Sequence, residues 1–460
     1  MKNKTNLKKG TSPYLLVILS FVGVIIFGSF LLTLPFAHVN GQWGNYIDSL
    51  FVATSATCVT GLCTYPLGIG GELTLFGQII VLIMIQIGGL GFITIFTFFI
   101  SLFIKKISFK DRYFLSQAVN SNSVAGVSMF VKRVITIVIA TELLGFALGL
   151  PVFLTIPGLE TGKAIWMSAF TSVSAFNNAG FDIFGSFSLM RILENPIVYS
   201  MPTWAYYYMC SYIMILIIIG GISFITIIDL VFRRQKVRQW NAFVRIVLST
   251  TGVLLVLGFA CFLLTDVTHG NINAFEALFQ SVTLRTAGFA TFDENNLTLA
   301  GKTISMLFMF IGGSPISTAG GIKTTTIFII VLCIVRFLQG RKITAFKREY
   351  TRLSIIKAMT VVLLAIVIIV IGFIIVSSLE VGKENMSSEN VLFEIFSAFG
   401  TVGLTTGITT SLTIGSKITI IIIMFFGRLG PISLFQMFQT RGEKEENEHF
   451  KRIQTDVIIG

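Results

Sequence analysis

Charged side chains are scarce in this chain. Asp, Glu, Lys and Arg make up 12% of 460 residues against 54% hydrophobic, and the mean hydropathy is +0.84. That balance excludes a soluble globular protein and places the chain among polytopic membrane proteins. The three histidines, His38, His269 and His449, fall in loops or the tail, and no catalytic constellation accompanies them. The five cysteines, Cys58, Cys63, Cys210, Cys261 and Cys333, have no metal-ligand spacing and lie in or beside apolar runs, which suits buried packing. Neither Gly88-Gly89-Leu90-Gly91 nor Ala319-Gly320-Gly321 follows a strand or ends in Gly-Lys-Ser/Thr, so phosphate-loop chemistry is not expected. The chain reads as a non-enzyme without an organic cofactor.

The net charge of +12 does not point to nucleic acid, because the basic residues sit in short clusters between apolar runs and act as topology signals. The clusters are Lys2, Lys4, Lys8 and Lys9; Lys105, Lys106, Lys110, Arg112, Lys132 and Arg133; Arg233, Arg234, Lys236 and Arg238; Arg341, Lys342, Lys347, Arg348 and Arg352; and Arg441, Lys444, Lys451 and Arg452. The intervening loops carry Asp48, Glu160, Asp182, Asp266, Asp293, Glu294 and Glu380. This asymmetry puts the basic clusters and both termini on the cytoplasmic side. The apolar run from about 14 to 36 has no small-residue cleavage site and is too long for a signal-peptide core, so it is expected to be the first span.

A short phrase recurs four times. It starts at Leu50-Phe51, Ala169-Phe170, Leu278-Phe279 and Leu392-Phe393, and ends at Gly61-Leu62, Gly180-Phe181, Gly288-Phe289 and Gly403-Leu404. The step from Phe to Gly is 10, 10, 9 and 10 residues. The expected architecture is therefore an all-α membrane protein of four span, pore loop, span repeats: eight transmembrane helices and four re-entrant loops around a pseudo-four-fold pore. The repeats are expected at 1–105, 106–235, 236–340 and 341–440, followed by a short cytoplasmic tail at 441–460. The spans are expected at 14–36, 73–104, 131–157, 203–232, 242–265, 300–338, 354–378 and 415–438, with loops near 46–62, 163–181, 273–289 and 389–404. A helix of about eleven residues rises about half of a ~30 Å hydrocarbon core and cannot cross it. Non-helical backbone at that depth needs protein or a water-filled cavity around it, so the four loops should face one another.

Half-helices aimed at a common axis direct free carbonyls and the negative ends of their dipoles there, which favours a cation. The residues entering the glycines are Val59-Thr60-Gly61, Asn178-Ala179-Gly180, Thr286-Ala287-Gly288 and Thr401-Val402-Gly403. Small or β-branched side chains with a glycine let successive carbonyls replace the hydration shell of a monovalent cation, as in tetrameric potassium channels. A single Thr-Gly or Ala-Gly is ordinarily a helix cap; it is the fourfold recurrence that points to a filter. No ring of acidic residues accompanies the glycines, which argues against a divalent-cation site. Glu276 and Glu394 are expected to be helix-surface or capping residues. Lys323 and Arg428 lie in long apolar stretches, where a charge requires a partner or nearby water. Glu142 is also intramembrane and is expected to face a basic group. An alternating-access transporter for another monovalent cation or small solute would also explain broken helices and midplane charge, but calls for inverted repeats.

At Asn178-Ala179-Gly180-Phe181, Arg285-Thr286-Ala287-Gly288-Phe289, the run from Gly312 to Thr326 and Gly427-Arg428-Leu429-Gly430-Pro431, the chain resembles the Trk/Ktr/HKT potassium transporter superfamily, specifically the KtrB-type membrane subunit of bacterial Ktr systems. The resemblance covers almost the whole chain. It implies uptake of K⁺ across a bacterial cytoplasmic membrane, with dependence on Na⁺ left open. Glycine at the filter position of all four loops, Gly61 included, goes with potassium selectivity in such proteins. The start of the chain at the first repeat favours Ktr over Trk relatives, which usually carry two further spans. The broken stretch Gly312, Gly313, Ser314, Pro315, Gly320, Gly321 and Lys323 corresponds to an intramembrane gating loop under the filter. On residues alone it reads equally as a static kink, since proline and clustered glycine cannot hold a regular helix. Arg428 takes the position of a family arginine that contributes to the ion barrier. The resemblance further implies a homodimer with one pore per protomer and a cytoplasmic KtrA-type ring of nucleotide-binding RCK domains as partner.

Overall fold

The computed structural model describes residues 13–91, 127–185, 201–232, 239–383 and 386–430. Among the described residues, besides a five-residue helix at Gly68–Glu72, fourteen α-helices organise the molecule: α1 Pro13–Thr33, α2 Tyr46–Cys58, α3 Leu75–Leu90, α4 Val127–Leu154, α5 Thr161–Asn177, α6 Thr203–Gly221, α7 Phe224–Val231, α8 Ala242–Phe262, α9 Ala274–Thr283, α10 Leu299–Phe310, α11 Thr324–Leu338, α12 Arg352–Leu379, α13 Ser388–Gly400 and α14 Ile414–Leu429. Among the described residues, four helical stretches are long and apolar enough to cross a membrane, namely Met129–Leu154, Thr203–Gly221, Ala242–Val267 and Arg352–Leu379; shorter apolar helices are Val17–Thr33, Leu75–Leu90, Leu299–Phe310 and Thr324–Leu338. The expected ends of the spans beyond 91 and 430, and the basic clusters at 2–9, 105–112, 233–238 and 441–452, lie outside the described residues.

Four short helices, α2, α5, α9 and α13, each enter from a polar start. Asn45 caps α2 by accepting from Ile47 N–H, Asn273 and Glu276 form a reciprocal capping box on α9, and Ser387 caps α13. These caps satisfy orphan N–H groups where the helix begins in a loop. The phenylalanine that opens each recurring phrase, Phe51, Phe170, Phe279 or Phe393, is fully buried and anchors its short helix in the surrounding apolar clusters.

The helices that follow share a second periodicity. Thr74, Thr298 and Thr413 cap α3, α10 and α14, and in each case a glycine follows fourteen residues later, within two residues of the helix end, at Gly88, Gly312 and Gly427. Four residues after each of these threonines comes Gln78, Lys302 or Lys417, and each of these reaches the short helix of the neighbouring unit. Trp166 Nε1 on α5 donates to Gln78 Oε1 at 2.7 Å. Lys302 pairs with Glu389 on α13 at 3.0 Å, and Lys417 with Asp48 on α2 at 2.6 Å. The remaining seam, α6 against α9, is an edge-on aromatic pair, Tyr207 with Phe275, with centroids 4.8 Å apart. These four contacts link the units head to tail and bring the last helix back to the first.

Two expected spans are each divided. The stretch 203–232 breaks after Gly221, where Phe224 N–H donates to Ile316 O at 2.8 Å instead of to its own helix. The stretch 300–338 is α10 and α11 separated by an extended loop at 311–323, whose ends pair as a parallel bridge between Ile311 and Ile322. Lys132 and Arg133, expected in a basic loop, are in helix α4, where the Arg133 guanidinium stands 5.3 Å from the Phe232 ring centre. Between α11 and α12 a small hairpin, β1 Thr344–Ala345 with β2 Arg348–Glu349, turns through Phe346 and Lys347 at positive φ. It is held by Phe346 stacking on Phe328, with centroids 6.1 Å apart.

Candidate functional site: a ring of four glycines

Three of the short helices are capped by a residue in the left-handed region, Val59 (φ 58°), Asn178 (φ 58°) and Thr401 (φ 50°), and the third unit reaches it at Thr286 (φ 69°), three residues past its helix. None of these is glycine, and such backbone persists only where the surroundings hold it. Here the restraint is a hydroxyl four residues after each buried phenylalanine: Ser55, Ser174, Thr283 and Ser397. The chain doubles back so that Thr60 N–H donates to Ser55 O (2.8 Å), Ala179 to Ser174 O (2.8 Å), Ala287 to Thr283 O (2.9 Å) and Val402 to Ser397 O (2.9 Å). The side chains complete the tie. Ser55 Oγ and Ser397 Oγ accept from Gly61 and Gly403 N–H at 3.1 and 3.0 Å, while Ser174 and Thr283 donate to the Phe181 and Phe289 carbonyls at 2.5 and 2.7 Å. The third unit makes its backbone bond over one residue fewer, which accounts for its shorter Phe-to-Gly step. Sequence reading passed over these hydroxyls, although Phe-x-x-x-Ser/Thr is printed in all four phrases.

The four glycines then meet in chain order around one point. A Cβ on Gly61 would stand 2.7 Å from the Ala179 carbonyl oxygen, and one on Gly180 2.7 Å from that of Ala287. One on Gly288 would strike the Val402 carbonyl, and one on Gly403 the carbonyl of Thr60. All four glycines have positive φ, so any side chain there is both strained and in collision. The carbonyls of Thr60, Ala179, Ala287 and Val402 therefore pack around the same narrow axis. A cavity of about 280 Å³ opens on one side of this ring, lined by all four glycines together with Tyr65, Asp182, Glu294 and Thr405.

The opposite side is closed by the loop 311–323. Thr318 Oγ1 donates to Phe176 O (3.2 Å), at the end of α5, and to Gly220 O (2.9 Å). Gly320 lies against Thr401, and Gly321, at φ 64°, against the carbonyl of Gly400. The loop thus runs from the second unit to the fourth beneath the glycine ring. Ser314 N–H and Thr318 N–H donate to the carbonyls of Gly221 and Gly220, and Thr324 N–H to Gly313 O. Lys323 Nζ donates to Ala319 O at 2.7 Å within the loop. Arg428 fastens it from outside: its guanidinium donates to the carbonyls of Thr318, Gly88 and, at 3.3 Å, Gly89. Thus Gly312, Gly313, Ser314, Gly320, Gly321, Lys323 and Arg428 fall in one place, with Pro315 and Ile316 (φ 56°) at the bend.

Helix glycines make this approach possible. Gly88, Gly220 and Gly427 pack directly on the last carbonyls of α2, α5 and α13, those of Thr57, Phe176 and Phe399, and leave no room for a Cβ. Two sequence expectations are corrected here. Glu394 is neither a surface nor a capping residue: it is 1% exposed and accepts from the hydroxyls of Thr405 (2.8 Å) and Thr409. Glu142 faces an amide instead of a basic group, accepting from Asn177 Nδ2 at 3.1 Å, because Asn177 ends α5 directly across from it. Glu276 is the expected cap.

Comparison with known proteins agrees with this geometry. Residues 11–449 match the family model TrkH, described as cation transport protein. The potassium/sodium uptake protein NtpJ of Enterococcus hirae is 34% identical over 99% of each chain. The Ktr system potassium uptake protein B of Bacillus subtilis is also 34% identical, over 98% of this chain and 97% of its own. The crystal structure of the potassium transporter TrkH from Vibrio parahaemolyticus superposes with a TM-score of 0.69 at 18% identity, covering 95% of this chain and 86% of that one. A multi-pass helical chain matched over nearly its whole length belongs to the TrkH family of cation transport proteins, within the Trk/Ktr superfamily.

Proposed function

We propose that this chain is the pore-forming subunit of a Ktr-type system for potassium uptake across the cytoplasmic membrane. The observation that supports this best is the closed ring of Gly61, Gly180, Gly288 and Gly403, each at the end of a short helix and each abutting the next unit's carbonyl. In this reading the chain is four repeats, 1–105, 106–235, 236–340 and 341–440, with eight spans, four re-entrant loops and both termini cytoplasmic. Ions enter from the cavity above the glycines and exchange water for the backbone oxygens contributed by Val59, Thr60, Asn178, Ala179, Thr286, Ala287, Thr401 and Val402. Four helix C-termini aimed at this point favour a cation electrostatically. Because the ring is built from backbone, it discriminates by the spacing of its oxygens and not by fixed charge.

The loop 311–323 is the gate, and it obstructs the passage beneath the filter in the state described. Arg428 and Lys323 hold it shut and add positive charge below the ring, which opposes a cation until the loop moves. A cytoplasmic nucleotide-binding ring of the KtrA type would act through the hairpin carrying Arg341, Lys342, Lys347 and Arg348, which continues directly from α11 and hence from the loop. The chain forms a homodimer with a pore in each protomer, and Na⁺ acts as a stimulating or coupled ion. The deciding experiment is complementation of a potassium-uptake-deficient bacterium at low external K⁺. Gly288→Ser is expected to abolish growth or the preference for K⁺ over Na⁺; growth and preference equal to the parent would refute the filter assignment.

A further inference from the structure

Behind the glycine ring, the third and fourth units each tie a buried carboxylate to the segment around the glycine. In the fourth unit Glu394, the residue after Phe393, is 1% exposed and accepts from Thr405 Oγ1 at 2.8 Å and from Thr409 Oγ1. Thr405 is two residues beyond Gly403, so the carboxylate joins the short helix to the strand leaving the filter. In the third unit the same position, after Phe279, is Gln280, 0% exposed. Its Nε2 donates to both carboxylate oxygens of Glu294 at 2.9 Å. Glu294 is 2% exposed and lies in the turn that follows Gly288. Asn295 Nδ2 then donates to Thr406 O at 3.0 Å, joining the two exits to each other.

The first and second units have Val52 and Thr171 at this position. Val52 is fully buried in an apolar cluster that also holds Val59, Ala179 and Phe181, and no carboxylate stands behind either residue among the described hydrogen bonds. At this position the third and fourth units therefore carry a polar network tied to a carboxylate, and the first carries apolar packing.

Accepting the filter reading given above, we infer that Glu394 and the Gln280–Glu294 pair are positioning residues for ion selectivity, fixing the carbonyl spacing around Gly288 and Gly403 from behind. Glu394 and Gln280 stand outside the lining of the cavity and act through the backbone. Buried polar groups of this kind are rigid when fully satisfied, and removing one member leaves its partners unpaired in a low-dielectric site. A filter that discriminates by oxygen spacing has to be held within a few tenths of an ångström to do so.

The test compares uptake of K⁺ and Na⁺ by the full-length protein in liposomes for Glu394→Ala, Glu394→Gln, Gln280→Met and Val52→Ala, with Gly288→Ser alongside. Glu394→Ala and Gln280→Met are expected to lower the K⁺ over Na⁺ uptake ratio about tenfold, the scale set by one lost buried hydrogen bond to a charged group. Glu394→Gln, which keeps an acceptor for one hydroxyl and offers a donor to the other, should recover most of the ratio, and Val52→Ala should keep it. If Glu394→Ala does not reach the membrane, Thr405→Val serves as the milder break and should shift the ratio in the same direction. A parental ratio in Glu394→Ala or Thr405→Val, with Gly288→Ser altered, overturns the inference and leaves the filter standing. A parental ratio in Gly288→Ser removes the filter itself. An equal fall in both ion fluxes, with the ratio constant, makes the brace merely structural and overturns the inference too.

Discussion

Replacing Arg428 by glutamine tests whether the loop 311–323 is a movable gate or a fixed kink. Among the described hydrogen bonds, the guanidinium is the side chain that joins the loop to the first unit, through Thr318 O on one side and Gly88 O and Gly89 O on the other. A hydrogen bond to a charged group contributes about 1.5 to 3 kcal/mol net. Taking the lower value for the bonds to Thr318 and Gly88 and ignoring the longer one, the substitution removes about 3 kcal/mol of preference for the closed arrangement. At 1.4 kcal/mol per decade this is about a hundredfold in the equilibrium between closed and open. A gate that opens rarely in the parent would therefore open often, and K⁺ flux into liposomes lacking any soluble partner should rise by one to two orders of magnitude. Arg428→Lys keeps the charge but loses the planar fork that reaches opposite carbonyls at once, and should fall between the two. The assay is potassium-driven flux at matched protein content, with the elution profile of each variant as a check on folding. Flux within a factor of two of the parent in a well-folded Arg428→Gln protein would refute the reasoning and make the loop a static element.

Two further predictions concern the seams and the loops around them. Asp48 and Lys417 join the first and fourth units with side chains 19% and 12% exposed; Asp48→Ala should lower the thermal midpoint in detergent by leaving Lys417 unpaired, whereas Asp48→Leu with Lys417→Met should recover it, because a desolvated pair contributes little beyond apolar packing. If the double substitution is as unstable as the single, the pair is contributing more than that balance allows. Burial would raise the carboxyl of Glu380, just past the end of α12, but it is outweighed by Lys383 at 2.8 Å and by Ser416 and Thr413, whose N–H and hydroxyl donate at 2.8 and 2.7 Å; the net effect lowers it from 4.5 to about 2. The ionised form is thus the one the fold prefers, so its stabilisation is present above about pH 4.5 and is lost as the pH falls toward 2. Melting curves of the parent should shift downward across that window, while Glu380→Gln should start lower at neutral pH and shift less; parallel shifts in the two proteins would show that Glu380 is not responsible.

The four glycine-ending segments were legible because they obey a rule that any chain must follow there. Glycine is needed where four backbones meet, and an apolar anchor is needed at a fixed distance before it, so Phe51 and Gly61 and their three counterparts stand out without coordinates. The hydroxyls at Ser55, Ser174, Thr283 and Ser397 were equally periodic but less conspicuous, since serine and threonine occur throughout such helices and their role emerges only when the chain reverses onto them. Glu394 was misread for a related reason. Counting back from the glycine, it has no counterpart at Glu276; counting forward from the phenylalanine, it aligns with Gln280, whose partner Glu294 is fourteen residues away and out of reach of any local pattern. The break at Gly221 was missed because Gly220-Gly221 sits inside an apolar run that reads as one long span, and the acceptor that replaces the lost helical bond, Ile316 O, belongs to a different unit.

A single chain folded into four like units can do what four identical chains cannot, and Arg428 illustrates the consequence. The residue pairs near the ends of these helices align as Gly88-Gly89, Gly220-Gly221, Gly312-Gly313 and Gly427-Arg428, so the arginine occupies the place of the second glycine in one of the four. Were it repeated in all four, adjacent guanidinium groups at about 8 Å separation would repel by about 2 kcal/mol per pair at an effective dielectric constant of about 20, or about 8 kcal/mol around the ring. Four such side chains would also fill the passage that glycine keeps open. With one, the charge finds the loop carbonyl of Thr318 on one side and the carbonyls of Gly88 and Gly89 on the other. Among the described residues the loop occurs in the third unit alone, and it runs from the second unit to the fourth. On the function proposed, fourfold symmetry would be kept where the backbone surrounds an ion and abandoned on both sides of that layer, with the carboxylates of Glu294 and Glu394 bracing two units and one loop and one arginine closing the path. Selectivity and gating are therefore separable by substitution: changes at Glu394 should move the ion preference without opening the gate, and changes at Arg428 should open the gate without moving the preference.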